Sequence, residues 1–122
     1  MTAAGKKALI VEDEFIIAEA LRAQLADIGF DVCGMAATAE DAVRLAQEHR
    51  PDLVLMDMRL DGPGDGVDAA LAIHETVGSR VIFVTGSRED ATIERINEDH
   101  PLATLFKPVS SIQLRRVIQA VF

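Results

Sequence analysis

Two hydrophobic periods alternate along this chain from end to end. Short apolar runs of strand length stand at Ala8–Val11, Val32–Ala36, Leu53–Met56, Val81–Val84 and Ala103–Phe106. They are apolar at consecutive positions, which predicts strands covered on both faces, the usual condition of a parallel sheet. Between them the apolar positions follow helical spacing. Ala18, Leu21, Leu25 and Ile28 form one stripe, with Gly29 placed to cap the helix end. Thr38 and Asp41 have capping-box spacing ahead of Ala39, Ala42, Val43 and Ala46. Val67, Ala70, Leu71 and His74 make a third stripe. Ser87 with Asp90 opens a thinly amphipathic fourth helix anchored by Ile93 and Ile96, and Ser110 with Gln113 opens a fifth on Leu114, Val117, Ile118 and Val121. Five strands alternating with five helices predict an open, doubly wound α/β sheet.

Length and composition narrow this picture without changing it. The chain of 122 residues is the size of one domain, and its 49% hydrophobic content suffices for one core. No apolar run approaches the ~18 residues of a membrane span. The N-terminal MTAAGKKALIVEDE turns acidic too soon for a signal peptide. Cys33 is the single cysteine, so no internal disulfide forms; it reads as a small core residue, and a cytoplasmic setting is expected. A net charge of −8 argues against direct binding to nucleic acid. His49, His74 and His100 lack metal-ligand spacing and read as surface or helix-flank residues.

Candidate chemistry lies where the strands end, since ligands of such folds bind there. Strand one runs into Glu12, Asp13 and Glu14, strand three into Asp57, strand four into Thr85, and strand five into Lys107 and Pro108. Taken singly, these are ordinary turn, helix-start and strand residues. Taken together, they bring several carboxylates to one crevice if strands one and three are neighbours, and like charges at that range oppose ionisation. A magnesium ion resolves the conflict, because it prefers carboxylate and phosphate oxygens. Lys107 and Thr85 then supply a charge and a hydroxyl for a transferring phosphoryl group, with an aspartate as nucleophile. The Gly- and Asp-rich loop Met58–Gly66 is the longest.

The stretches LIVEDE, LVLMDMRL, VIFVTGS and LFKPVS resemble the four signature segments of bacterial two-component response regulator receiver domains, over Ala8 to Val121. The resemblance implies a single receiver domain over residues 1–122 (core 8–121) with a flavodoxin-like five-stranded parallel sheet, order 2-1-3-4-5. It implies that Asp57 is the phosphoacceptor. Glu12, Asp13, Asp57 and the backbone carbonyl of Arg59 would hold Mg2+, while Thr85 and Lys107 bind the phosphoryl group. A cis Lys107–Pro108 bond is implied as well, aiming Lys107 at the acidic pocket. The implied partners are a sensor histidine kinase or phosphotransfer protein, and a downstream protein or second copy on the face of the fourth helix, fifth strand and fifth helix.

Three departures stand out. Thr104 occupies a position often aromatic in the family, Asp61 replaces a common loop proline, and DGPGDG is one residue longer than usual. Phe83-Val84-Thr85-Gly86 resembles a subgroup with a Phe-Ala-Thr-Gly motif. The expected activity is self-phosphorylation and slow autodephosphorylation, without turnover of external substrates. The alternatives are a receiver fragment of a larger regulator and a haloacid-dehalogenase-like phosphatase, whose nucleophile would follow strand one in a DxD arrangement. A flavodoxin-like electron carrier is disfavoured, since there is no Ser/Thr/Gly-rich loop after strand one and no Trp or Tyr to flank a flavin.

Overall fold

The computed structural model describes residues 5–122. The first four residues of the stretch read above as lacking a signal sequence, and of the 1–122 domain, lie outside the described residues. Elements alternate strictly: β1 (Lys7–Val11), α1 (Phe15–Ile28), β2 (Asp31–Ala36), α2 (Ala39–His49), β3 (Leu53–Asp57), α3 (Gly66–Thr76), β4 (Arg80–Thr85), α4 (Asp90–Asn97), β5 (Ala103–Phe106) and α5 (Ser111–Val121). The sheet is parallel throughout, in the expected order β2-β1-β3-β4-β5. The order reverses between β1 and β3, and that reversal leaves a crevice at their carboxyl ends.

Strand alternation divides the core in two. Leu9, Val11, Val54, Met56, Val81 and Phe83 pack toward α2, α3 and α4, while Ala8, Ile10, Leu53, Leu55 and Ile82 pack toward α1 and α5. The strands are therefore apolar at every position because each face has its own helical layer. Each fully buried large side chain contributes about 1.5–3 kcal/mol relative to exposure, and Phe83, Leu9, Ile10, Leu55 and Met56 are among them. Cys33 sits at a β1–β2 register shift, half-buried against the core, and its thiol donates to the Ala8 carbonyl at 3.3 Å.

Helix ends follow local chemistry. Gly29 takes a φ of 108°, and its N–H reaches the Leu25 and Ala26 carbonyls. Thr38 and Ser110 cap α2 and α5 as expected. Two expectations need correction. The buried face of α3 is Gly66, Val67, Ala69, Ala70 and Ile73, whereas Leu71 is 42% exposed and His74 only half-buried. The small side chains on that face let the helix settle closely on the sheet, which turns Leu71 and His74 away from it. And α4 starts at Asp90, with Glu89 as its N-cap, not at Ser87. The Ser87 hydroxyl is taken up in the preceding loop, where it accepts from the Glu89 N–H at 3.2 Å and bonds the Thr92 hydroxyl at 3.1 Å.

A cap not anticipated from the sequence opens α3. Asp65 accepts from the Asp68 N–H, and Asp68 from the Asp65 N–H, both at 2.9 Å. Arg95 of α4 forks onto Asp65 (3.2 and 3.1 Å), reaches Asp68 at 2.8 Å and touches Glu98 at 3.4 Å. These carboxylates hold the guanidinium above its usual range, the Asp65 bonds contributing most. A second link joins the far ends of the two helices. His74 Nδ1 lies 2.9 Å from Oδ1 of Asp99, whose side chain is wholly buried and whose carboxyl is raised by burial. Ile96 is the one fully buried residue of α4, so these polar links carry much of its attachment. Arg95→Gln should therefore lower the melting temperature by an amount corresponding to about 1 kcal/mol in low salt and clearly less in 1 M salt. A loss independent of ionic strength, followed by thermal melts, would contradict the electrostatic account.

Candidate functional site

Every polar residue expected at the strand ends lies at the carboxyl edge of the sheet. Asp57 is the last residue of β3 and Thr85 the last of β4, while Glu12 follows β1 and Lys107 follows β5. Glu12, Asp57 and Thr85 are 4%, 6% and 3% exposed, so their polar atoms answer to one another more than to bulk water. Asp13 is exposed. A cavity of roughly 620 Å3 opens here, its wall including Asp13, Asp57, Arg59, Thr85, Arg88 and Lys107.

Lys107 is the counter-ion of the buried acids. Its ammonium lies 3.1 Å from Asp57 Oδ2 and 2.9 Å from Glu12 Oε2. The first contact is a hydrogen bond; the second is an ion pair out of alignment, which leaves Glu12 Oε2 buried without a hydrogen-bond partner. The other Glu12 oxygen accepts from the Glu14 N–H at 3.2 Å, and Asp57 Oδ1 from the Arg59 N–H at 3.4 Å. Burial works against the Lys107 charge, but its close contacts with the Glu12 and Asp57 carboxylates prevail and raise its pKa. Glu12 moves the other way. Burial, aided by the charge of Asp57 and opposed by Lys107, pushes it up to about 7.

One carboxylate oxygen from each of Glu12, Asp13 and Asp57 comes within 4.8 Å of the others. Three acids with one ammonium and an orphaned buried oxygen fit a hard divalent cation with oxygen ligands. Arg59 lines the cavity beside them. The Lys107–Pro108 bond is cis, as expected. Backbone pairing holds the frame, since Lys107 N–H donates to the Thr85 carbonyl at 2.8 Å and Glu12 N–H to that of Ala36 at 2.8 Å.

Thr104 stands apart. It pairs with Phe83 in the β4–β5 ladder and lines a separate hollow with Asn97, His100 and Pro101. Other residues of the site escaped the sequence reading. The Thr85 hydroxyl accepts from the Ser87 N–H at 3.1 Å, which begins a short hydroxyl chain through Ser87 to Thr92. Arg88 stacks on Phe106, 4.1 Å from the ring centroid, and also lines the cavity. Gly66 presses on the backbone of Asp57; a Cβ there would overlap the Asp57 carbonyl oxygen and come within 3.1 Å of Met56 Cγ. The Gly-rich loop was a visible signal for Gly66, the Ser87–Asp90 spacing marked Ser87 only as a helix opener, and no local pattern marks Arg88.

The family model described as response regulator receiver domain matches residues 8–119. The chain is similar to the transcriptional regulatory protein PdtaR of Mycobacterium tuberculosis, 33% identical over 117 residues that cover 96% of this chain and 57% of that protein. It is also similar to the phyllosphere-induced regulator PhyR of Methylorubrum extorquens, 38% identical over 104 residues, 84% of this chain and 39% of that protein. The chain thus spans about half the length of the relatives it matches. Among solved structures, the signal receiver domain of a modulated diguanylate cyclase from Desulfovibrio desulfuricans superposes with a TM-score of 0.88 at 38% identity, covering 94% of this chain and 91% of that one.

Two predictions follow from the site's packing and charge. Gly66→Ala should cost roughly 1–3 kcal/mol, as overpacked substitutions do, because the Asp57 backbone must shift; urea melts measure it, and a neutral result would mean α3 is free to retreat. In metal-free protein Glu12 should make stability pH-dependent. Its folded pKa of about 7 exceeds the 4.5 of an ordinary glutamate, so between these values the folded state keeps a proton that the unfolded state releases. Stability then falls as pH rises through that window. Glu12→Gln should flatten the slope, and a slope left unchanged would assign it to another group.

Proposed function

Because this chain belongs to the receiver domain family of two-component response regulators, we propose that Asp57 is its phosphoacceptor, taking a phosphoryl group from the phosphohistidine of a sensor histidine kinase or phosphotransfer protein. The observation that supports this most is the Asp57 carboxylate, buried at a strand end and bonded to Lys107 at 3.1 Å, yet facing an open cavity. An Asp57 oxygen attacks phosphorus, the new P–O bond forms as the P–N bond breaks, and the electron pair stays on the imidazole nitrogen. Asp57 is oriented by Lys107 and by the Arg59 N–H. Lys107 also meets the charge gathering on the phosphoryl oxygens, and Thr85 turns its hydroxyl hydrogen to one of them while still accepting from Ser87. Magnesium, held by Glu12, Asp13, Asp57 and the Arg59 carbonyl, would neutralise phosphoryl oxygen charge. Later hydrolysis of the acyl phosphate returns the chain to its resting state, so the activity is self-modification.

The donor has a place to dock. A groove formed by Ile16, Ile17, Ala20, Pro108 and Val109 includes Lys107, so it adjoins the acidic cavity, and Phe15 and Ile16 beside it are 71% and 83% exposed. A helix carrying the phosphohistidine fits there, covering apolar surface while presenting its imidazole to Asp57. Helix α4, strand β5 and helix α5 form the face offered to a downstream protein or a second copy. We read residues 8–121 as one receiver unit working in the cytoplasm; no helix among the described residues is long and apolar enough to cross a membrane. A haloacid-dehalogenase-like phosphatase is not favoured, because the acid bonded to Lys107 ends β3, whereas β1 runs into Glu-Asp-Glu.

Incubation with acetyl phosphate and magnesium should place one hydroxylamine-labile phosphoryl group on the chain. Labelling should vanish in Asp57→Asn, which keeps the shape and removes the nucleophile, and should fail when magnesium is chelated. Mass spectrometry of the intact protein checks both arms, and labelling that survives in Asp57→Asn would move the acceptor elsewhere.

A further inference from the structure

Three cations line the cavity around Asp57: Arg59, Arg88 and Lys107. Lys107 is engaged with Glu12 and Asp57. Arg88 is exposed, forms no ion pair among the described residues, and rests with its guanidinium 4.1 Å above the Phe106 ring. Glu14 and Glu89 line the same cavity, so this cation lies on an aromatic face although carboxylates are near.

We infer that Arg88 is a second phosphoryl-binding cation, which leaves Phe106 for the phosphoryl oxygens when Asp57 is modified and so turns the anion into a change at β5. The inference rests on Asp57 as acceptor. An exposed cation–π contact of this type shifts an equilibrium by about two- to fivefold. The acyl phosphate carries about −1.5 to −2 charges where the Asp57 carboxylate carried one, and it puts several acceptor oxygens into the cavity that Arg88 lines. Charge-assisted bonds to such a group are stronger than the ring contact, so the guanidinium redistributes toward the anion.

The loop permits this movement. Gly86 has open space around the position where a side chain would begin, so nothing packs against the loop at that point, and Arg88 itself is exposed. The loop also hangs from Thr85, whose hydroxyl oxygen accepts from the Ser87 N–H. A Thr85 hydroxyl drawn toward the phosphoryl group pulls the residue next to Arg88 the same way. On the receiving side, Phe106 pairs with Thr85 across the β4–β5 ladder and directly precedes Lys107. It lies two residues beyond Thr104, hence on the same face of β5. Loss of the Arg88 cover thus bares an aromatic ring on the strand face where position 104 offers only a threonine.

Beryllofluoride with magnesium, a mimic of the phosphoryl group, tests this on the intact chain by NMR. The Arg88 side-chain protons should be shifted upfield by the ring in the free protein and lose that shift when beryllofluoride binds. Arg88→Gln should weaken beryllofluoride affinity about three- to tenfold, and Arg88→Lys should recover most of it. Phe106→Leu, which removes the competing ring, should tighten binding about two- to fivefold. Wild-type affinity in Arg88→Gln, or Arg88 protons still ring-shifted in the bound state, would overturn the assignment while leaving Asp57 as acceptor. If the unsubstituted chain showed no magnesium-dependent beryllofluoride binding, the Asp57 reading would fall, and Arg88 with it.

Discussion

Crowding of like charge at the joined ends of β1 and β3 is the constraint from which the rest of this molecule follows. Glu12 and Asp57 are nearly dry, Asp13 stands beside them, and the only ammonium in contact among the described residues is that of Lys107. In so little solvent, two buried carboxylates cannot both ionise freely, and Glu12 yields by holding its proton to about 7. The site is therefore short of positive charge in its resting form. That shortage suits the site to a divalent cation, and in the proposed reaction a group arriving on Asp57 would find an ammonium, a hydroxyl and a backbone donor already set around it. Building this arrangement has a structural cost, visible in the orphaned Glu12 oxygen and in α3 pressed against Asp57 at a position that admits only glycine.

Economy of apolar contact shapes the attachment of α4. Helices α1, α2, α3 and α5 each bury at least two residues, but α4 fully buries only Ile96. It is secured instead by the Arg95 fork, by the His74–Asp99 contact and by the Ser87–Thr92 hydroxyl pair. Polar attachments of this sort are individually weak and alter with charge, whereas buried apolar contacts do not. Thr85, beside Asp57, is bonded to the loop leading into α4, while Arg95 joins α4 to the cap of α3, whose first residue abuts Asp57. The Asp57 strand end and α4 are thus linked by two short routes made of polar bonds.

Much of this was legible before any coordinates. Fully apolar runs separated by helical spacing specified five strands and five helices, because burial on both faces leaves no polar positions for a strand to show. Asp57, Thr85 and Lys107 were legible for a related reason: each interrupts or follows an apolar run where a strand must leave the core. The misplaced features share a cause too. The face of α3 was drawn one residue off, since a spacing rule weighs Leu71 above the small Gly66 and Ala69 that allow close packing. Ser87 looked like a helix cap because serine serves equally well in the turn before one.

By itself, then, the sequence determined the kinds of element, their order and the acids that end them, since these depend on local periodicity and on residues a few positions apart. What only the tertiary structure decided are meetings between residues remote in the chain: Lys107 with Glu12 and Asp57, Arg95 with Asp65 and Asp68, His74 with Asp99, and Arg88 with Phe106. Such pairs depend on strand order and on helix rotation measured in ångströms. A carboxylate or guanidinium at the surface carries no local mark of its partner, because either can be satisfied by water until the fold brings the other within about 3 Å and takes the water away.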